Sequence, residues 1–228
     1  MELSIVIPAY MEEENLRLLL PRLKKVLDDA GLTYEILVVD TAAALDDTEG
    51  ACRQAGAVHL RRAGGDSFGA AVRTGIANTQ GKYVCFMDAD GSHGPEFITQ
   101  MLHWREQFDV VVASRYVDGG HTENSPMLVL MSRMLNWTYA FFLNLNCQDV
   151  SNSFKLYRGE ELRNIELKCD NFDIVEEILI RLARRTKQLR IKELPFTFKQ
   201  RMFGKSKRNL FVFIFSYGVT LIRLLRIR

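Results

Sequence analysis

Tyr83-Val84-Cys85-Phe86-Met87-Asp88-Ala89-Asp90 is an apolar run that ends in two aspartates spaced i, i+2. A buried strand followed by a loop produces this pattern, and it delivers both carboxylates to the carboxyl edge of a sheet. Open α/β folds place their ligands at that edge. Paired carboxylates there suit Mg²⁺ or Mn²⁺, hard ions that take oxygen ligands and share them with a diphosphate. A strand followed by a plain acidic turn would leave the same residues, so the stretch needs the rest of the chain to decide its meaning.

On either side of it, apolar runs alternate with helical patterns. Leu3–Ile7 reads as a first strand stopped by Pro8. Leu16, Leu19, Leu20, Leu23, Val26 and Leu27 follow at helical spacing. Glu35–Asp40 is a second buried strand ending in an acid. A helix over Thr48–Ala55, a short strand at Val58–Leu60, a glycine-rich loop at Gly64–Gly69 and a helix over Ala70–Asn78 lead to the quoted run. Pro95 and Glu96 mark a helix start, and Val110–Ala113 is a further strand. The alternation predicts an α/β fold with a mostly parallel, doubly wound central sheet flanked by helices. Beyond it, a long apolar helix is expected over Leu128–Leu145, a helix over Ile174–Arg184 and a strand over Leu189–Leu194.

The 228 residues fit one sizeable domain. Cys52, Cys85, Cys147 and Cys169 are scattered with no CxxC pair, so they read as reduced cytosolic thiols rather than a disulfide frame or zinc site. The N-terminus lacks the pattern of a signal peptide. Net charge is +2, but residues 1–180 hold 16 Lys/Arg against 27 Asp/Glu, whereas residues 181–228 hold 14 Lys/Arg against Glu193 alone. This asymmetry predicts a basic end that meets an anionic partner. Residues 210–228 are apolar and aromatic, interrupted only by arginines near their end, and are preceded by Lys205, Lys207 and Arg208. That pattern fits an amphipathic helix at a membrane interface, with a helix packed on the domain or on a partner subunit, or a bilayer span, as the alternatives. Its aromatics lie in an aliphatic run without base-reading polar groups, which argues against nucleic acid as the partner.

Several stretches now combine. Residues 4–16, Ser-Ile-Val-Ile-Pro-Ala-Tyr-Met-Glu-Glu-Glu-Asn-Leu, resemble the opening motif of family 2 glycosyltransferases with the GT-A fold. Residues 86–96, containing Asp88-Ala89-Asp90-Gly91-Ser92-His93, are similar to the metal motif of the dolichyl- and polyprenyl-phosphate mannose synthase branch. Residues 69–75, 113–120 (Ala-Ser-Arg-Tyr-Val-Asp-Gly-Gly) and 201–207 resemble that branch too. The chain departs from it at Asp40-Thr41-Ala42-Ala43, where only the first acid of the usual Asp-Asp-Gly-Ser remains. It departs again at Asp66-Ser67, and at Asn152-Ser153-Phe154-Lys155, which replaces a Ser-Gly-Phe-Arg segment.

The resemblance implies a Rossmann-like GT-A domain over residues 1–207, with residues 208–228 as the basic, apolar helix at the membrane interface. It implies metal-dependent, inverting transfer of a sugar from a nucleotide diphosphate sugar to a polyprenyl or dolichyl phosphate, at the cytoplasmic face of a membrane. GDP-mannose is the favoured donor and UDP-glucose the runner-up. A family 2 transferase acting on a glycan hydroxyl and a non-catalytic membrane scaffold are the remaining alternatives. Asp88 and Asp90 are the expected ligands of Mg²⁺ or Mn²⁺, with Ser92 not counted among them. Pro8, Tyr10, Glu12 and Asp40 are placed at the nucleotide, and Arg201 and Lys207 over its diphosphate. Arg115 and Arg133 would hold the lipid phosphate, with Asp90 completing the catalytic set. His93 is expected to brace the metal loop. Asp149 and Glu177 either orient arginines or line the acceptor site, or else form surface or core salt bridges, and Arg73 braces an acidic loop.

Overall fold

The computed structural model describes residues 1–186, 188–199 and 221. Its core is a seven-stranded sheet. The strands in chain order are β1 (Leu3–Pro8), β2 (Tyr34–Asp40), β3 (Val58–Arg61), β4 (Tyr83–Phe86), β5 (Val110–Ser114), β7 (Lys155–Arg158) and β8 (Ile191–Pro195), and their spatial order is β3-β2-β1-β4-β7-β5-β8. Two short strands, β6 (His121–Thr122) and β9 (Thr197–Phe198), pair beside it. The β2–β3, β1–β2, β1–β4 and β5–β8 pairs are parallel; β7 runs antiparallel to both β4 and β5.

Strand residues point alternately to the two faces of the sheet. Leu3, Ile5 and Ile7 join one core with the apolar stripe of α1 (Glu13–Asp29), and with α2 (Thr48–Ala55) and α4 (Phe97–His103). Val6, Leu37, Val39, Val84 and Phe86 face the other, covered by α3 (Phe68–Asn78), α6 (Gly159–Arg163) and α7 (Ile174–Arg185). α5 (Pro126–Phe142) contributes Tyr139 to that second core. Strands buried on both sides read as continuous apolar runs, which is why β1, β2, β4 and β5 are visible in the sequence. Each fully buried Leu, Ile or Val side chain contributes about 1.5–3 kcal/mol, so the sheet edge rests on a rigid base.

The mostly parallel sheet is as expected, with one addition: β7 enters the middle of it in the opposite sense. Its four residues, Lys-Leu-Tyr-Arg, begin and end on cations and give no apolar run. The helix expected at Pro95 starts at Phe97, because Gly94–Glu96 form a turn in which Phe97 N–H donates to Gly94 O at 3.1 Å. Arg201, Lys207, the boundary at residue 207 and the C-terminal helix lie outside the described residues. No described helix is long and apolar enough to cross a membrane.

Candidate active site

The parallel strands β1, β2, β4 and β5 end at one edge of the sheet, and the expected site residues follow those ends. Met87 N–H still pairs with Val6 O at 3.1 Å; Asp88 then leaves the sheet, and Gly91 takes φ 79°, a left-handed turn that glycine adopts without steric cost. Asp90 Oδ1 accepts hydrogen bonds from Ser92 N (3.0 Å) and Ser92 Oγ (2.6 Å), a side-chain turn that fixes the carboxylate. Ser92 is buried and its hydroxyl serves Asp90.

Asp88 is held from two sides. Its main-chain N–H donates to His93 Nδ1 at 2.9 Å, and its Oδ1 accepts from Ser153 Oγ at 2.8 Å. His93 is buried, stacked on Phe154 at 4.7 Å between ring centroids and edged by Phe196 and Phe198. Burial pushes its pKa below the usual histidine value. The neutral ring therefore carries its proton on Nε2, 3.8 Å from Asp88 Oδ2. His93 thus braces the aspartate loop from beneath.

Both carboxylates are partly exposed, and no group of three or more His, Cys, Asp or Glu that could hold a metal occurs among the described residues. Two carboxylates without a third ligand fit Mg²⁺ or Mn²⁺, which complete their shell with water and substrate phosphate oxygens rather than an all-protein cage.

On the other side of β7, the residue after β5 is Arg115. Its main-chain N–H and Nε donate to Asp149 Oδ2, both at 2.8 Å, and its Nη2 donates to Asp149 Oδ1 at 2.6 Å and to Ser151 Oγ at 3.1 Å. Burial opposes the arginine's charge, and Asp149 outweighs that and holds its pKa above the ordinary value. Arg115 is therefore paired rather than a bare cation, and Asp149 is the residue that orients it. Its guanidinium lies 4.9 Å from the Tyr116 ring centroid, and that of Arg133, from α5, lies 5.3 Å from the same centroid. The structure thus gathers both arginines around Tyr116. Beside Arg133, α5 exposes Met127, Leu130, Met134, Trp137 and Phe141, a stripe at helical spacing; Trp137 stacks on Phe141 at 5.4 Å.

The expected nucleotide residues are spread along the β1 and β2 ends. Pro8 closes β1 and lines an apolar crevice with Phe68, Val72, Asp88 and Ser153. Tyr10 is exposed, Met11 has φ 55°, and Glu12 precedes α1 without a side-chain cap bond, its Oε2 accepting from Asn15 Nδ2 at 2.5 Å. Asp40 is buried: Oδ1 accepts from Thr41 N–H at 2.7 Å and Oδ2 meets His59 Nε2 at 3.1 Å. Asp40 thus stands at the end of β2 with its carboxylate already engaged by Thr41 and His59. Glu177 is a core salt bridge, bound to Arg181 and to the amides of Lys168 and Cys169. Arg73 braces the loop at Cys169 and Asp170.

Three further residues were given no role from the sequence, although Ser153 and Lys155 lie in the segment that departs from the family pattern. Arg62 is buried, and its guanidinium donates to the main-chain oxygens of Ala9, Asp40, Asp66 and Ser67, tying the ends of β1 and β2 to the loop before α3. Ser153 reaches Asp88 from 65 positions away. Lys155 is fully buried and donates to Val150 O at 3.0 Å and to Asn152 O.

Residues 4–165 match the model of glycosyl transferase family 2. The chain is 33% identical to a dolichol-phosphate mannosyltransferase of Pyrococcus furiosus, over 91% of its own length and 59% of that protein's, so it spans under two thirds of that relative. It is 33% identical to an undecaprenyl-phosphate mannosyltransferase of Micrococcus luteus (92% and 88% covered) and 32% identical to a polyprenol monophosphomannose synthase of Mycolicibacterium smegmatis (90% and 80%). Among solved structures, glucosyl-3-phosphoglycerate synthase of Mycobacterium tuberculosis, in complex with Mn²⁺, uridine diphosphate and phosphoglyceric acid, superposes with a TM-score of 0.76 at 20% identity, covering 100% of this chain and 79% of that one. That likeness shows a shared fold.

Proposed function

The chain belongs to glycosyl transferase family 2, and from that premise we propose that it moves a hexosyl group, mannose from GDP-mannose, onto a polyprenyl phosphate at a membrane surface. The observation that carries this reading is the grouping of Arg115 and Arg133 around Tyr116, next to the exposed apolar stripe of α5 and across β7 from Asp88 and Asp90. An anionic headgroup on an apolar chain is the ligand that such a surface suits. The three mannosyltransferase and mannose synthase relatives support the same sugar and acceptor class.

Asp88 and Asp90 would hold a divalent ion, which when bound offsets, as a Lewis acid, the charge that builds on a departing nucleoside diphosphate. Ser153 and Ser92 keep the two carboxylates aimed. The acceptor oxygen is a phosphate oxygen, already anionic at neutral pH, so no side chain has to remove a proton from it. It has to be held in line against repulsion from the donor. Arg133 supplies an exposed guanidinium for this, and Arg115, fixed by Asp149, supplies a positioned one. Direct displacement at the anomeric carbon inverts its configuration. Transfer to a glycan hydroxyl would need a carboxylate base, and both Asp149 and Glu177 are committed to arginines.

We place α5 against the lipid surface. Its stripe carries methionine, leucine and aromatic side chains without a charge, and Arg133 beside it stands where a headgroup phosphate would lie. The basic segment at residues 201–228 would add attraction to an anionic leaflet. The test is a panel of labelled nucleotide sugars with Mn²⁺ and a polyprenyl phosphate. Label from GDP-mannose should enter the organic phase; label found only on water-soluble glycans, or nowhere, would refute the proposal.

A further inference from the structure

Because β7 runs against its neighbours, it begins at the edge where β4 and β5 end. Lys155, its first residue, pairs in register with Phe86 of β4 and Val112 of β5. The chain entering β7 therefore passes between the aspartate loop and the Arg115 loop. Residues 149–153 reach both: Asp149 and Ser151 bind Arg115, and Ser153 binds Asp88.

What holds this loop is buried and polar. Lys155 turns its ammonium back into the loop, onto the carbonyl oxygens of Val150 and Asn152. From α5, Asn136 Oδ1 accepts Ser151 N–H at 2.8 Å while Asn136 Nδ2 donates to Ser151 Oγ at 3.1 Å. Asn136 is 1% exposed and Lys155 0%. Taking an ammonium out of water is costly, and an apolar residue would fill a purely structural position at less cost. The ammonium gains its partners only if the loop keeps this shape.

We infer that loop 149–153 is one shared support for the donor corner at Asp88 and the acceptor corner at Arg115, and that Lys155 and Asn136 are the positioning residues that set it. The inference rests on the function proposed above for the assignment of those two corners. It adds that they are built on one element, so disturbing the loop moves both.

The test uses Lys155→Met, Asn136→Leu and Lys155→Arg in the full chain, with two readouts. The first is hydrogen exchange at the amides of Arg115, bonded to Asp149, and of Asp88, bonded to His93. The second is Mn²⁺ affinity by electron paramagnetic resonance with GDP present. Lys155→Met and Asn136→Leu should each lower protection at both amides and weaken Mn²⁺ binding about tenfold, the usual cost of losing a supporting partner behind a ligand. Lys155→Arg should restore both. Exchange that rises only within residues 150–152, with Mn²⁺ affinity unchanged, would overturn the inference. If Lys155→Met does not fold, Asn136→Leu makes the same comparison alone. If the unsubstituted chain binds no Mn²⁺, the proposed function fails, while the exchange comparison still decides this inference.

Discussion

Asp149 accepts three hydrogen bonds from one residue, Arg115: the main-chain N–H and Nε on Oδ2 and Nη2 on Oδ1, at 2.6–2.8 Å. The carboxylate is fully buried and the guanidinium only 11% exposed. Removing one partner strands the other's charge in a poorly solvated place. Asp149→Ala should therefore destabilise the fold by about 3–5 kcal/mol in urea unfolding. Adding Arg115→Met should recover much of that loss, because the stranded charge goes with it. A single substitution costing under about 1 kcal/mol would mean that water reaches the pair.

Asp90 is different, because it is partly exposed and its hydrogen-bond partner among the described residues is the neighbouring Ser92. Asp90→Ala should leave the unfolding midpoint nearly unchanged, as substitutions away from packed or paired groups do. Turnover should fall about a thousandfold, equivalent to about 4 kcal/mol, if the carboxylate holds the ion that stabilises the leaving diphosphate. Full activity in this variant would remove Asp90 from the chemistry.

Arg133 stands over Tyr116, just past the end of β5, where the proposed function puts the acceptor phosphate. Arg133→Ala should raise KM for a polyprenyl phosphate about tenfold while leaving KM for the nucleotide sugar unchanged, the pattern expected when a charge-assisted contact to one substrate is lost. An equal rise in both would move Arg133 to the donor side.

Trp104 and Trp137 are the two tryptophans of the chain, and Trp137 is 65% exposed on the α5 stripe. In a Trp104→Phe background, vesicles with brominated acyl chains should quench Trp137 and shift its emission to the blue. Trp137→Leu with Met134→Glu should cut vesicle binding while sparing transfer to a short-chain acceptor in detergent. Unquenched fluorescence, with sedimentation showing a dimer, would instead assign the stripe to a second copy of the chain.

The parts of the edge legible in the sequence are those where burial and charge change abruptly. β4 reads as a run because both of its faces are covered, and Asp88 and Asp90 stand out at its end. Asp40 was equally visible for the same reason, yet its carboxylate is bound to His59 and Thr41. A pattern of residue types marks the strand's end but not which way the acid turns. The loop before β7 showed in the sequence only as the changed Asn152–Lys155 segment, and the burial of its key groups was hidden because they break the usual sorting of polar residues to the surface. A buried lysine bonded to carbonyl oxygens looks, in sequence, like any surface lysine. Arg62 was hidden likewise, since its partners are all main-chain oxygens. Two of the contacts that fix this edge, Arg62 with Ala9 and Ser153 with Asp88, join segments 53 and 65 positions apart.

On the proposed function, the sheet edge at the end of β4 and the start of β7 holds a metal-bound nucleoside diphosphate. Crystals grown with Mn²⁺ and GDP, measured at the manganese absorption edge, test it most directly. An anomalous peak is expected about 2.0–2.3 Å from an Asp90 oxygen, with diphosphate oxygens in the same shell. A diphosphate bound elsewhere, with no manganese at Asp88 and Asp90, would contradict it.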